Sequence, residues 1–475
     1  MNTPDYYTNG YTNGTAPRGY EALKAAAKAH RVNIPDLLVL ARQNDPFLCG
    51  TPTQLEQAHW FADLWQRLGL TTGVHLRKMH YRLVSQHAPR MHNGDPYENT
   101  ERCWEYLLNA GKQARYLGLV AADAFVDRRN DDPIVYTVYG ERMPRTVTRP
   151  DWLDYESFDL PSIDADPGWN LSLNVPQVNV TGYEYTAAEQ PYHLEIWCEK
   201  TTMNDVLLPI CQEHGVNLQT GSGFLSITSV VDLLKRVRAG GKPARVFYIS
   251  DFDPAGDGMP VAVARQIEYW LAEYAPEAEI ALQPLVLTRD QARDYRLPRI
   301  PIKETDRRRG NFEDLYGAGA VELDALEALY PGELERIVTE AIAPYRDVDL
   351  ARRYYVARLQ AERQARAEWQ RATQDEQAVL EVLEQEARAI VNGYTEQLAT
   401  LAAALERDLA PIAERLEIVR QAIQEKADDF DPDLPPLPDP AAPGQDESNW
   451  LFDSLRGYFE QLEHYKQRKV ADDGV

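Results

Sequence analysis

ARVFYISDFDPAGDG, residues 244–258, is the stretch that decides the fold. ARVFYIS is a short apolar run of the kind that forms a buried strand, and Asp251 and Asp253 follow it directly. Side chains two apart on extended backbone point the same way, so this pair can converge on one ion. Pro254 and Gly256 then turn the chain toward a helix, GMPVAVARQIEYWLAEY. Aspartates are also common turn-formers and helix caps, and the motif alone supports either reading.

The flanking sequence separates the two. Upstream, HLEIWC (193–198) is a second apolar strand, followed at once by Glu199 and Lys200. Between the two strands lie a helix (TMNDVLLPICQEH), a short strand (VNLQT) and another helix (SITSVVDLLKRVRA); beyond them EIALQPLVL is a further strand. Strand–helix alternation at this spacing predicts a parallel α/β sheet. Ligands of open parallel sheets bind at the carboxyl ends of strands. Glu199, Asp251 and Asp253 stand at two such ends, which suits a hard cation such as Mg²⁺. Asp257 is either a further ligand or an N-cap.

WCEK (197–200) and ISDFDPAGDG (249–258) resemble the two signatures of the TOPRIM domain. More narrowly, they resemble the A subunit of topoisomerase VI and its relative, the meiotic double-strand-break protein. GSGF (221–224) is similar to the Gly-containing segment those proteins place between the signatures. The resemblance covers residues 190–290 or so, and Asp257 goes beyond its usual pattern. It implies a Rossmann-like metal-binding domain that handles phosphodiesters.

The segment VHLRKMHYRLVSQH (74–87) reads as a helix in which Arg77 and Tyr81, four apart, share a face. A free tyrosine has a pKa near 10, and a guanidinium one turn away stabilises phenolate and orients phosphate. With 26 tyrosines in the chain, packing is the ordinary role for such a residue. The hexapeptide Leu76–Tyr81 resembles the Arg-x-x-x-Tyr helix of the topoisomerase VI A subunit, whose tyrosine attacks DNA. That family usually has a second aromatic residue just before the tyrosine; here it is His80. The resemblance implies catalytic roles for Tyr81 and Arg77, a phosphotyrosyl DNA intermediate, and a homodimer acting on double-stranded DNA. Tyrosine and metal of one active site would come from different subunits.

The expected architecture is α/β and α multidomain. Residues 1–19 form a disordered tail, and 20–150 a helical, winged-helix-like module whose β-prone PIVYTVYG follows three helices. A linker (151–190) leads to the metal-binding domain (191–345). A long helical hairpin or coiled coil (346–429), a Pro/Asp-rich linker (430–448) and a C-terminal helix (449–475) complete it. Candidate DNA contacts are Lys78, Arg82, Arg128, Arg129, Lys200, Lys303, Arg307, Arg308 and Arg309.

The net charge of −24 over 475 residues opposes uniform DNA binding. It is uneven: residues 51–150 carry 13 basic and 11 acidic side chains, whereas 351–475 carry 15 and 25. A DNA-facing surface is therefore local. Four scattered cysteines without a CxxC pair point to a reducing cytoplasm and away from structural zinc. No apolar run is long enough to span a membrane. No GxxxxGK[ST] loop is present, so any ATPase, such as a B-type subunit, would be a separate chain. Two rivals stand beside the transesterase: a Mg²⁺-dependent nuclease using water, in a defence or mobile-element system, and a non-catalytic DNA-binding or assembly subunit.

Overall fold

The computed structural model describes residues 16–127, 130–148, 159–161, 171–221, 226–394, 402–442, 444 and 450–473. Four helices come first: α1 (Tyr20–His30), α2 (Pro52–Arg67), α3 (Leu76–Val84) and α4 (Glu101–Tyr116). Short strands β1 (Thr146–Thr148) and β2 (Asn179–Thr181) precede the alternating region. That region runs β3 (His193–Cys198), α5 (Asn204–His214), β4 (Asn217–Thr220), α6 (Ile227–Gly240), β5 (Ala244–Ile249), α7 (Gly258–Tyr274), β6 (Ile280–Val286). Helices α8 (Arg289–Asp294), α9 (Arg309–Tyr316), α10 (Leu323–Leu329) and α11 (Glu333–Ile342) follow. Three long helices, α12 (Leu350–Ala372), α13 (Gln374–Tyr394) and α14 (Ala402–Asp429), come before β7 (Phe452–Asp453) and α15 (Tyr458–Asp473).

The chain divides into two compact units whose boundaries differ from the expected ones. The first takes residues up to Gly140, Ala187–Asp347 and Ala441 onward; the second takes Glu141–Thr186 and Val348–Pro440. The N-terminal helices and the sheet thus share one unit instead of forming separate domains.

In the first unit the sheet order is β4-β3-β5-β6-β7, with the first four strands parallel and β7 antiparallel to β6. β3 and β5 are buried along their whole length, as expected of central strands covered on both faces. Trp197, Val246, Tyr248 and Leu282 pack on one face with α6 and α7. Leu194, Ile196, Phe247 and Ile249 pack on the other with α5 and α11. The period-2 alternation of strand side chains produces both layers from one sheet.

The helical layer is locally encoded. Thr51 caps α2 in a capping box with Gln54, with Pro52 in the first turn, and Thr100 accepts the Cys103 amide at the start of α4. Arg265 of α7 joins this layer to the sheet: its guanidinium, fully buried, reaches Asp45 at 3.1 Å and Glu268 at 2.7 Å. Asp45 also accepts the amides of Val39, Leu40 and Phe47, so its charge is fully bonded. From α15, Tyr458 donates to the Leu37 carbonyl at 2.7 Å.

The wing expected from PIVYTVYG does not form. Ile134 bridges Leu218, and the Tyr136 and Thr137 amides donate to Asn217 Oδ1 at 2.8 and 2.9 Å. A β-prone segment with no hairpin partner has paired with the edge strand β4.

In the second unit α13 and α14 run antiparallel, tied by Arg415–Glu386 and Lys426–Glu376, each at 2.6 Å. α12 buries Ala357, Ala361, Ala365 and Trp369, an i, i+4 stripe. Part of the expected linker packs on these helices: Leu171, Leu173, Val175 and Val178 are buried, and the Leu173 amide donates to Glu384 at 3.0 Å. The expected 1–19 tail lies outside the described residues as far as residue 15.

Candidate functional site

The chain leaves β3 outward to β4, then crosses back to β5 on the other side of β3. Neighbouring strands whose connections leave in opposite directions open a crevice at their carboxyl ends. Glu199 stands at the end of β3 and Asp251 at the end of β5, so both flank that crevice.

Glu199 is buried, and its Oε1 accepts the Asp251 amide at 2.5 Å. Asp251 Oδ1 accepts the Leu323 amide at 2.7 Å and meets Lys200 Nζ at 3.0 Å. Asp253 Oδ1 takes the amides of Ala255 and Gly256 at 2.8 and 2.6 Å, closing the turn into α7. Gly256 is required there, because a Cβ would lie 2.0 Å from the Asp251 carbonyl oxygen. One oxygen of each carboxylate is thereby committed. Glu199 Oε2, Asp251 Oδ2 and Asp253 Oδ2 accept no hydrogen bond among the described residues.

Burial, reinforced by Asp251 and Asp253 and opposed by the Asp251 amide and Lys200, pushes the Glu199 carboxyl up to about 8. Asp251 is raised too, chiefly by burial, against the Leu323 amide and Lys200. Such raised carboxyls mark a cluster short of positive charge. Carboxylate oxygens are the donor type that a hard divalent cation takes. As they stand, no three His, Cys, Asp or Glu side chains among the described residues close into a metal cage.

Asp257 lines the same cleft as Asp251. It occupies the N-cap position of α7 without a side-chain capping bond, and its Oδ1 accepts from the Tyr316 hydroxyl at 3.3 Å. Lys200, expected at a phosphate, is turned into the cluster: it meets Asp324 at 2.6 Å and Glu322 at 3.6 Å besides Asp251. Burial, which lowers its pKa, is outweighed by Asp324 and Asp251, so the ammonium is held charged. Glu322 and Asp324, for which the sequence favours a helix start over an approach to the metal, share Lys200 with this centre.

Neither a family model nor a curated protein matches the sequence.

Helix α3 presents a mixed face. Arg77, Lys78, Tyr81 and Arg82 are exposed, while Met79, His80 and Leu83 are buried. Tyr81 is 58 % exposed, and the Arg77 guanidinium lies 6.0 Å from the Trp104 ring. His80 is a packing residue: its Nδ1 pairs with Tyr97 at 2.7 Å and its Nε2 with Asn99 at 3.1 Å. No hydrogen bond or ion pair among the described residues joins this face to the carboxylates.

The basic stretch near residue 300 is divided. Arg308 and Arg309 are held by Asp306 and Glu313 at 2.9 and 2.8 Å, and Arg308 also feels the charge of Asp253. Lys303 is exposed, as is Arg307, and neither makes an ion pair among the described residues. Arg128, Arg129 and residues 222–224 of the GSGF segment lie outside the described residues. Among the described residues no helix is long and apolar enough to cross a membrane.

Proposed function

We propose that the chain is a Mg²⁺-dependent DNA strand-breaking transesterase, resembling the topoisomerase VI A subunit in its TOPRIM signatures and its tyrosine helix. The observation that carries the reading is the placement of Glu199 and Asp251 at the strand-order reversal, each with an uncommitted oxygen. Glu199, Asp251 and Asp253 would hold Mg²⁺, which supplies charge stabilisation to a phosphate in transfer.

The chain's own residues supply the rest. Tyr81 attacks a backbone phosphorus: its phenolic oxygen forms a P–O bond as the P–O bond to the sugar breaks. The phenol proton passes to water and the departing sugar oxygen takes one up, leaving a phosphotyrosyl link and a sugar hydroxyl. Arg77, one turn away on the same face, orients the phosphate. Lys78 and Arg82 neutralise flanking phosphates, as do the exposed Lys303 and Arg307. Lys200 keeps Asp251 oriented between the two strands. The resemblance implies that tyrosine and metal of one active site come from different subunits of a homodimer. Any ATPase is assigned to a separate subunit.

Metal-dependent hydrolysis is the second reading, favoured by one observation: among the described residues the Tyr81 hydroxyl has no partner to activate it. The deciding experiment incubates supercoiled plasmid with protein and Mg²⁺, stops it in SDS, and resolves it with and without protease. Broken DNA that enters the gel only after protease is the expected result. Breaks with protein-free ends assign the chemistry to water, and intact plasmid removes the catalytic reading.

A further inference from the structure

Beside the carboxylates lies a cleft of about 590 Å³ that shares Asp251 with them. Sites for small organic ligands span roughly 300–1,000 Å³. The end of β5 and the first turn of α7 form one side, the end of β6 with α8 another, and α9 and α15 the remainder. Its lining is divided: Pro260, Val261, Pro284 and Leu287 are apolar, whereas Arg289, Arg293 and Arg468 carry positive charge and Asp251, Asp257 and Asp290 negative.

Tyr465, on α15, lines the cleft at 6 % exposure, and its hydroxyl has no hydrogen-bond partner among the described residues. Leaving such a group unpaired costs about 1–3 kcal/mol. Phenylalanine would fill the same space without that cost, so a hydroxyl here calls for a ligand. The first-turn amides of α7 do not supply the anion site: Gly258 and Met259 both donate to Ala255 at 3.0 Å, and Pro260 has no N–H. Arg293 is held by Asp290 and Asp294 at 3.0 and 2.9 Å, so anion recognition falls to Arg289 and Arg468, whose planar forks match phosphate oxygens. Inorganic phosphate would leave the apolar wall bare, and a purely apolar acid would leave Asn311 of the lining unused. A flat heteroaromatic phosphate ester satisfies both halves. The Tyr316 ring, 6.0 Å from the Arg289 guanidinium, adds a stacking surface.

We propose that this cleft binds a nucleoside phosphate, with the phosphate on Arg289 and Arg468, a hydrogen bond from Tyr465, and the base against the apolar wall and Tyr316. This goes beyond strand breakage and does not depend on it. The ligand is a free nucleotide or the terminal nucleotide of a strand, which share this chemistry.

The test titrates the full chain, in EDTA, with deoxyadenosine monophosphate, with a short oligodeoxyadenylate and with inorganic phosphate in a calorimeter. Saturable binding of the mononucleotide is expected, weakened about tenfold in Arg468→Ala and about fivefold in Tyr465→Phe. Tyr465→Phe keeps or raises the melting temperature, which separates lost recognition from lost folding. Tighter binding of the oligonucleotide identifies a strand end, and equal binding a free nucleotide. Absence of heat with both, phosphate binding as tightly as the nucleotide, or affinity unchanged in both variants overturns the proposal. Because EDTA removes Mg²⁺, the outcome is independent of whether the carboxylates support cleavage.

Discussion

Glu199 Oε1 accepts the backbone N–H of Asp251 at 2.5 Å, so the ends of β3 and β5 are joined through the acid side chain of one and the amide of the other. The bond sets the direction of the Glu199 carboxylate and leaves its second oxygen for another partner. It also brings the two residues close enough for their charges to oppose each other. The centre is thus ordered by its backbone and strained by its charge, the combination a cation relieves.

Glu199→Gln keeps an oxygen for the Asp251 amide and cannot ionise to meet a cation. The metal-free variant is expected to melt at or above the wild-type temperature. Wild type gains stability with Mg²⁺, about 2.7 kcal/mol at a hundredfold excess over the dissociation constant, and the variant does not. Scanning calorimetry with and without MgCl2 measures both; an equal Mg²⁺ gain in the variant refutes the assignment of Glu199 as a ligand.

Neighbouring residues on α3 should behave oppositely. His80→Ala removes two side-chain hydrogen bonds and edge contacts with Tyr97 and Trp104, a loss of about 2–4 kcal/mol. Tyr81→Phe, at an exposed position, stays within about 0.5 kcal/mol of wild type and loses all covalent capture of DNA. Denaturant unfolding and the SDS gel give the two readouts. A large stability loss in Tyr81→Phe would make the tyrosine a packing residue.

Glu195, fully buried in β3, predicts an acid limit. Burial alone would push its carboxyl up, but Arg236 and His193 outweigh it and hold it well below the ordinary value of 4.5. A folded-state pKa below the unfolded one means stability that is complete above the unfolded value and lost as pH falls through 4.5 and below. Glu195→Ala strands the Arg236 guanidinium, which reaches Oε1 at 2.8 Å and Oε2 at 3.0 Å, and costs about 3–5 kcal/mol near neutrality. The difference from wild type should narrow in urea titrations as pH falls below 4.5; a constant difference would contradict the paired state.

If the α3 face meets the DNA backbone, salt dependence reports it. Lys78→Ala and Arg82→Ala should each reduce the slope of log affinity against log salt by about 1, without changing sequence preference. Fluorescence anisotropy across a salt series measures this, and a slope equal to wild type in both variants moves the DNA elsewhere.

Local signals in the sequence carried far. Apolar spacing and caps predict helices over 20–30 and 52–68, and α1 and α2 span Tyr20–His30 and Pro52–Arg67. HLEIWC and ARVFYIS predict buried strands, and β3 and β5 form there with Glu199 and Asp251 at their ends. What was not legible depends on partners far along the chain. Lys200 and Asp324 are 124 residues apart, so nothing near Lys200 announces that it turns inward. PIVYTVYG has the composition of a strand, but only the fold reveals that Asn217 satisfies its amides. Glu195 and His193 interrupt an apolar strand, a signal of a buried polar network that hydrophobic patterning passes over.

The antiparallel pairing of β7 with β6 bears on how the chain is made. Phe452 and Asp453 pair with Leu282 and Ala281, so the first unit's sheet is finished by residues translated long after its other strands. The Ala441 amide donates to Asp347 Oδ2 at 2.9 Å, closing the two points where the chain departs for the second unit and returns. During synthesis β6 therefore waits with an open edge while the 165 residues from 287 to 451 leave the ribosome. A nascent chain stalled ahead of Trp450 would expose that edge, making it the stage at which chaperone cover matters most.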